Sequence, residues 1–501
     1  MAIKIFTAVF IGIEGKLITV EVDTGPGLPC FNIVGLADTS VKESKERVRS
    51  AIVNSGYKFP ICRIIINLAP ADLKKVGTHF DLPIAIGILI ASNQIYFHDY
   101  DQFLFMGELS LSGEINKIPG ALPITIEGKQ SGIDNIILPR NNEVECSFVK
   151  GVNIFPFDNL KQVISFIKFR NFHPYKYKET NNSTCFNSDY NEIIGQESSK
   201  RCIEVAAAGG HNLIMFGPTG SGKTMLAQRI PTILPPLSYQ EALEVTKIYS
   251  VSGNINNCSE LVTMRPFRSP HHTTSAIALI GGGNTLKPGE ISLAHNGVLF
   301  LDEVLEFKRN VLEVLRQPLE ERKISISRAS GTVAYPANIM LIASMNPCQC
   351  GRSECTCSDY DKRRYLSKLS GPFLDRIDVF TYVNSVPYND IRDKSKGESS
   401  KNIKERVSNA RQIQEKRYTQ NGIMLNSQMD SKLINKYCKL NSKASDLMEK
   451  IYNKYHISAR SYARILKVSR TISDLNGRDD IGLPDIIEAL QYRKYINEEI
   501  I

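Results

Sequence analysis

One octapeptide constrains this chain more than any other stretch: Gly217-Pro-Thr-Gly-Ser-Gly-Lys-Thr224. It follows the run Asn212-Leu-Ile-Met-Phe216, which reads as a buried strand, and precedes Met225-Leu-Ala-Gln-Arg-Ile230, which reads as the first turns of a helix. Strand, glycine-rich loop and helix in that order make the phosphate-binding pattern G-x-x-x-x-G-K-[ST]. Gly217, Gly220 and Gly222, with Pro218, Thr219 and Ser221 between them, let backbone N–H groups turn inward around a phosphate chain. The helix N-terminus adds its partial positive charge. Lys223 is placed to reach the β/γ-phosphates of ATP, and the Thr224 hydroxyl to hold Mg²⁺.

A second apolar run, Val298-Leu-Phe-Leu-Asp-Glu303, ends in two carboxylates. Burying adjacent negative charges is costly unless they have partners. Mg²⁺ beside the P-loop is such a partner: Asp302 would support the ion, and Glu303 would polarise an attacking water as general base. The interval between Lys223 and Asp302 leaves room for one or two βα units. Asn338–Asn346 reads as a third strand ending in a polar residue, so Asn346 is suited to hold the water or the γ-phosphate; alone it would serve equally as a turn cap.

The rest of the chain frames this centre. At 501 residues it should hold two to four domains, and 42% hydrophobic content supports sizeable cores. A net charge of +9 leans mildly toward anionic partners, though much of it can be solvated surface. Eleven cysteines, seven of them scattered, suggest reduced thiols. The start of the sequence reads as a strand, without a signal-peptide layout, and the apolar stretch 80–92 is too short to span a bilayer. A cytoplasmic location is expected.

Four segments complete the domain plan. Residues 1–170 read as an α+β domain, with strands at Ile3–Ile13, Leu17–Val22, Cys30–Val34 and Arg63–Leu68 and helices at Ser40–Ser55 and Leu82–Ser92. Residues 171–191 are polar and aperiodic, a linker. Residues 192–390 form an α/β ATPase core carrying two insertions. The first runs from Arg265 to Ser275 through Gly281-Gly-Gly283 to His295; its paired histidines, His271 and His272, lack a carboxylate or cysteine companion for a metal. The second, Lys323–Tyr335, alternates and turns at Ala329-Ser-Gly331, a β-hairpin with Arg328 near its tip. Residues 391–501 read as helical, over Ser431–Lys439, Ser445–Tyr455, Ala459–Leu475 and Pro484–Tyr492, after a stretch rich in Lys and Arg that reads as a solvated helix face. Within the core, Cys348-Gln-Cys-Gly-Arg-Ser-Glu-Cys-Thr-Cys357 offers four thiolates to a tetrahedral Zn²⁺. Its C-x-C pairs are tighter than the usual C-x₂-C, and a loop of reduced thiols is the other reading.

Several runs carry a resemblance to the magnesium-chelatase-like AAA+ family: Ala206-Ala-Ala-Gly-Gly-His-Asn212, Arg265–Ser275, Gly289-Glu-Ile-Ser-Leu-Ala-His295 and Ile324-Ser-Ile-Ser-Arg-Ala-Ser-Gly331. It extends over nearly the whole chain. It implies a P-loop ATPase core with a helical lid, working as a homo-hexamer with ATP between subunits. It implies that Ile194, in Ile193-Ile-Gly-Gln196, packs on the adenine, and that Asn346 is the first sensor. Arg376, in Gly371-Pro-Phe-Leu-Asp-Arg-Ile-Asp378, would reach the neighbouring subunit's γ-phosphate, or else pair with Asp375 or Asp378. Arg460 resembles the second sensor, with Arg464 as its rival. In a ring both insertions could enter the pore, where Lys323 and Arg328 would track a phosphate backbone. For the competence branch of the family the resemblance implies DNA branch migration that integrates single strands during natural transformation and homologous recombination, with a recombinase as a partner. A protein-remodelling chaperone and a chelatase motor subunit are the alternatives.

The first domain resembles a Lon-type protease domain of the ribosomal S5-like fold, on Pro70–Gly87 and Gly107–Pro123. Ile84 stands where the nucleophilic serine would be and Pro123 where the lysine would be. Neither can act as nucleophile or base, so no protease activity is expected.

Overall fold

A computed structural model of the chain describes residues 2–176, 188–253, 261–283, 286–328, 331–352, 355–386, 397–455 and 457–493. It divides into two units, Met1–Asn182 with Tyr239–Val262, and Ser183–Ser238 with Thr263–Ile501.

The first unit is built on a seven-stranded mixed sheet. Its order is Cys30–Val34, Arg63–Ala69, Glu14–Gly25, Ile3–Ile11, Phe103–Phe105, Asn135–Pro139, Asn153–Phe157. Alternation fixes the faces: Ile64, Ile66 and Leu68 point into the core, and their neighbours do not. The first strand stops at Ile11, two residues short of the run read from sequence, because Gly12 takes a positive φ of 66° and turns the chain into a hairpin with Glu14–Gly25. The helix Asp81–Ala91 is buried from Asp81 to Ile90. Its one charge is held by Arg47, whose Nε and Nη2 donate to the Asp81 carboxylate at 2.7 and 3.1 Å, and by the Leu109 N–H at 3.2 Å. Ile84 lies in this helix with no exposed surface, and Pro123 is buried in the helix Ala121–Gln130. Both positions are core packing.

This unit also takes in a segment from between the helix Lys223–Ile233 and the strand Val298–Leu301. The helix Tyr239–Ser252 buries Ala242, Val245, Ile248 and Val251. The Ser250 carbonyl accepts the Gly120 N–H at 3.1 Å, and the Tyr239 hydroxyl donates to the Phe148 carbonyl at 2.6 Å. A helix whose sequence lies between two stretches of the second unit thus packs in the first.

The segment read as a linker is held at both described ends. The Tyr175 N–H donates to Ile154, and Tyr190 is fully buried with its hydroxyl on the Leu226 carbonyl at 2.9 Å.

The second unit carries a five-stranded, all-parallel sheet. Its order is Phe267–Arg268, Val298–Leu301, Met340–Met345, Leu213–Phe216, Val379–Tyr382. The inner strands are continuous apolar runs because helices cover the sheet. Helices Glu197–Gly209, Lys223–Ile233, Ser400–Tyr418 and Ala459–Leu475 share one core with it. The helix Ser400–Tyr418 has the solvated face its composition suggests, with Lys401, Glu405, Glu415 and Lys416 exposed, and a second face that packs inward. Arg406 pairs with Glu204 and Glu398, Arg411 donates to the Ala207 carbonyl, and Arg417 grips the buried Asp474. Among the described residues no helix is long and apolar enough to cross a membrane.

Candidate functional site

In a parallel sheet the carboxyl ends of the strands gather along one edge, and ligands bind there. The register sets what meets at this edge. Phe216 pairs with Met345, and Leu301 pairs with Ala343 on the strand between them. The residues that follow these strand ends are the glycine loop, Asn346, and Asp302 with Glu303.

Gly220 and Gly222 hold φ of 79° and 95°, which side-chain-bearing residues rarely adopt, so the loop can turn its N–H groups inward. Lys223 opens the helix behind it. Its Nζ donates to the carbonyls of Gly217 and Pro218 at 2.7 and 2.9 Å and to Asn346 Oδ1 at 3.2 Å. Burial lowers its pKa, and the charges of Asp302 and Glu303 act against that. The Thr224 hydroxyl donates to Asp302 Oδ2 at 2.9 Å. The Ser221 hydroxyl is buried without a hydrogen-bond partner among the described residues. A threonine hydroxyl and a carboxylate side by side are the hard oxygen donors Mg²⁺ takes, and the lysine, unpartnered hydroxyl and turned glycines suit a phosphate chain.

Ser344 is the residue that sequence reasoning missed. Its hydroxyl donates to Asp302 Oδ1 and accepts the Glu303 N–H at 3.0 Å. One side chain on the neighbouring strand therefore holds the Asp302 carboxylate and the backbone of Glu303. A fully buried serine inside the apolar run Met340–Met345 was the available signal. Glu303 is exposed and sits at φ 51°, a strained setting for a side-chain-bearing residue.

The opposite, amino-terminal edge of the sheet carries a second cluster. Leu213 pairs with Val379, so Asp378 lies beside Asn212, a strand of four residues (roughly 13 Å) from the loop. Arg376 is buried. It pairs with Glu320, a partner not weighed from sequence, and donates to the Pro372 carbonyl. Arg460 is exposed and lies 3.6 Å from Asp375, and Arg464 is mostly buried, 3.5 Å from Asp378. Arg493 is pulled down to about 10 by burial and by the charge of Arg464. Nε of Arg376 and Nη1 of Arg464 are buried without hydrogen-bond partners among the described residues. Positive charge exceeds its local compensation here.

The remaining expected residues lie elsewhere. Ile194 is half-buried just before the helix Glu197–Gly209. The hairpin pairs Lys323–Arg328 with Gly331–Pro336, leaving the expected tip at 329–330 outside the described residues; Lys323 is exposed at its base. His271 and His272 stack on each other, with their centroids 4.0 Å apart. Sγ atoms of Cys348, Cys350, Cys355 and Cys357 all lie within 4.8 Å of one another, the one such group of metal-ligating side chains among the described residues.

Comparisons with known proteins agree on one family. Residues 189–391 match the family described as magnesium chelatase, subunit ChlI. Residues 20–142 match subunit ChlI of Mg-chelatase, and residues 397–493 match the ChlI C-terminal region. The competence protein ComM of Haemophilus influenzae is 43% identical over 501 residues, covering 98% of this chain and 97% of that protein. The YifB protein of Escherichia coli is 43% identical over 494 residues, 98% and 96% of the two chains. The magnesium-chelatase 38 kDa subunit of Cereibacter sphaeroides is 22% identical over 179 residues, covering 32% of this chain and 52% of that one.

Proposed function

Because the chain belongs to the magnesium-chelatase family, and is of the ComM type within it, we propose that it is a Mg²⁺-dependent AAA+ ATPase that acts as a hexameric DNA motor. The observation that carries the ATPase reading is the gathering of Lys223, Thr224, Asp302, Glu303 and Asn346 at one edge of a parallel sheet. The glycine loop and Lys223 bind the phosphates, and Ile194 packs on the adenine. Thr224 and Asp302 hold Mg²⁺, which when bound neutralises charge on the transferring phosphoryl group. Glu303 takes the proton of the attacking water, and Asn346 orients that water or the γ-phosphate.

Arg376 and Arg464 act in trans. They stand at the far edge of their own sheet, each with one buried guanidinium nitrogen that has no hydrogen-bond partner among the described residues. A neighbour's γ-phosphate would supply that partner and be stabilised in return. Arg460, more exposed, is the outer member of the same group. The Lon-like unit is non-catalytic in this reading and serves assembly or substrate contact.

Ser344 gives a direct check on the Mg²⁺ site. Losing a hydrogen bond to a charged group costs about 1.5–3 kcal/mol. Ser344→Ala is therefore expected to raise the Mg²⁺ concentration for half-maximal turnover roughly tenfold or more, whereas Ser344→Thr, which keeps the hydroxyl, stays close to wild type. Equal Mg²⁺ dependence in all three would remove Ser344 from the site.

The DNA reading rests on the 43% identity to a protein named for competence, and is supported by the net charge of +9 and the exposed Lys323 on the pore hairpin. In it the motor moves branched DNA so that incoming single strands are integrated in transformation and recombination, in the cytoplasm, beside a recombinase. Its test is steady-state ATPase activity with single-stranded, forked and Holliday-junction DNA over a salt series. Stimulation by DNA that fades with salt is expected. Indifference to every DNA at low salt, with the hexamer formed, would overturn the DNA motor and point to polypeptide remodelling.

A further inference from the structure

The loop between the first-sensor residue and the helix Asp359–Leu366 carries four cysteines that ATP hydrolysis does not need. Cys348 Sγ lies 3.0 Å from Cys350 Sγ and 3.2 Å from Cys355 Sγ, and the Cys350 and Cys355 sulfurs are 3.7 Å apart. All four cysteines are free thiols, and three of them are in mutual contact. One tetrahedral ion satisfies four at once. With Zn–S bonds of about 2.3 Å, the edge of such a tetrahedron is roughly 3.8 Å. The three closest sulfur separations, 3.0, 3.2 and 3.7 Å, lie at or below that value, and all four sulfurs lie within 4.8 Å of one another. An iron–sulfur cluster would need its ligands farther apart, because each cysteine binds a different iron. The Cys357 N–H donates to Cys355 Sγ at 3.4 Å, a backbone contact that orients the sulfur.

The place of this knuckle gives it a role. Gly351, inside it, accepts the Thr219 N–H through its carbonyl at 2.8 Å. Thr219 is in the middle of the phosphate loop. Asn346, two residues before Cys348, holds Lys223. Gly351 has φ 66°, and a Cβ there would collide with Thr219 Oγ1 and meet Asn346 Nδ2 at 3.5 Å. The contact is thus made backbone to backbone, with the Thr219 side chain close enough that the positive φ and the lack of a Cβ both favour glycine.

We propose that Cys348, Cys350, Cys355 and Cys357 bind one Zn²⁺, and that this zinc knuckle braces the phosphate loop through Gly351, so that nucleotide affinity depends on zinc. The coupling rests on reading Gly217–Thr224 as the nucleotide site; the metal site does not. Folding a loop around a metal transfers binding free energy into local order. That order holds the Thr219 backbone where the loop needs it.

The test uses the full chain without a histidine tag. Metal content is measured by mass spectrometry, Co²⁺-substituted protein is examined for the absorption of a tetrahedral thiolate site, and binding of a fluorescent ATP analogue is titrated in parallel. One zinc per chain is expected. Cys355→Ser/Cys357→Ser should lose the metal and bind the analogue at least about tenfold more weakly. Gly351→Ala should keep the metal and still weaken the analogue, which separates bracing from a folding defect. A chain with no zinc overturns the metal site. Zinc present, with unchanged affinity in both variants, overturns the bracing role. Zinc present in a wild-type chain that binds no nucleotide overturns the phosphate-loop reading and the coupling with it, and leaves the zinc site standing.

Discussion

Lys223→Ala is expected to abolish measurable ATP turnover, and Glu303→Gln to do the same while leaving ATP bound. The two losses differ in kind. Lys223 is the cation nearest the loop's own carbonyls, held at 2.7 and 2.9 Å by Gly217 and Pro218 and at 3.2 Å by Asn346. Removing it takes away charge that meets the phosphates in the ground state and in the transition state, and loosens Asn346. A preorganised donor of this kind is worth about 10²–10³-fold in rate. Affinity should fall together with turnover. Glu303 touches no phosphate in this reading. Its amide analogue keeps the hydrogen bond from its own N–H to Ser344 but cannot accept a proton from water. Turnover should drop by about 10²–10⁴-fold, with nucleotide affinity unchanged. Single-turnover hydrolysis and equilibrium binding on the same preparations separate the two. Hydrolysis near the wild-type rate in either variant would sink the site assignment.

Arg376→Ala is expected to be nearly as severe, and to be repaired by mixing. An arginine acting on a transferring phosphoryl group contributes about 10³–10⁵-fold. Arg376 stands at the amino end of its sheet, whereas the phosphate loop lies at the carboxyl end. It cannot therefore serve its own site. Arg376→Ala subunits keep an intact phosphate loop, and Lys223→Ala subunits keep an intact arginine. Each preparation alone should be inactive. Mixed in equal amounts, some interfaces pair a good loop with a good arginine, and activity should return to a fraction of wild type. No recovery from a mixture that forms hexamers would return Arg376 to the structural role its pairing with Glu320 already allows. The Glu320 pair also gives a control. Glu320→Gln frees the guanidinium without removing it, and should spare turnover.

How much of this was legible in the sequence depended on the range of each interaction. The phosphate loop is local: strand, glycines, lysine and helix lie in one run, and the helix does begin at Lys223. The strand ending at Leu301 was read in the same way, because a buried parallel strand is a short apolar run and ends abruptly at its charges. Ser344 was out of reach. Its meaning comes from a strand pairing that sets it beside residues 302 and 303, and only the fold supplies that pairing. The Glu320 partner of Arg376 was missed for the same reason, whereas the weighed Asp375 and Asp378 were simply the nearest in sequence. The basic run at 391–420 was legible as a solvated face, and Lys401 and Lys416 are exposed on it, but composition could not say that Arg406, Arg411 and Arg417 reach Glu204, the Ala207 carbonyl and Asp474. The four cysteines could be counted from sequence, but their docking on Thr219 could not.

The helix Tyr239–Ser252 has a consequence for how such a chain is made. The strand, loop and helix of the nucleotide site, up to Ser238, leave the ribosome before the segment that the preceding unit still lacks. The amino-terminal body waits, with a gap over Gly120 and Phe148, until Val262 has been synthesised. Order of synthesis and order of completion are therefore interleaved. A fragment cut at the apparent boundary near residue 182 would never receive its last helix, and would bring an unfilled apolar seat into solution.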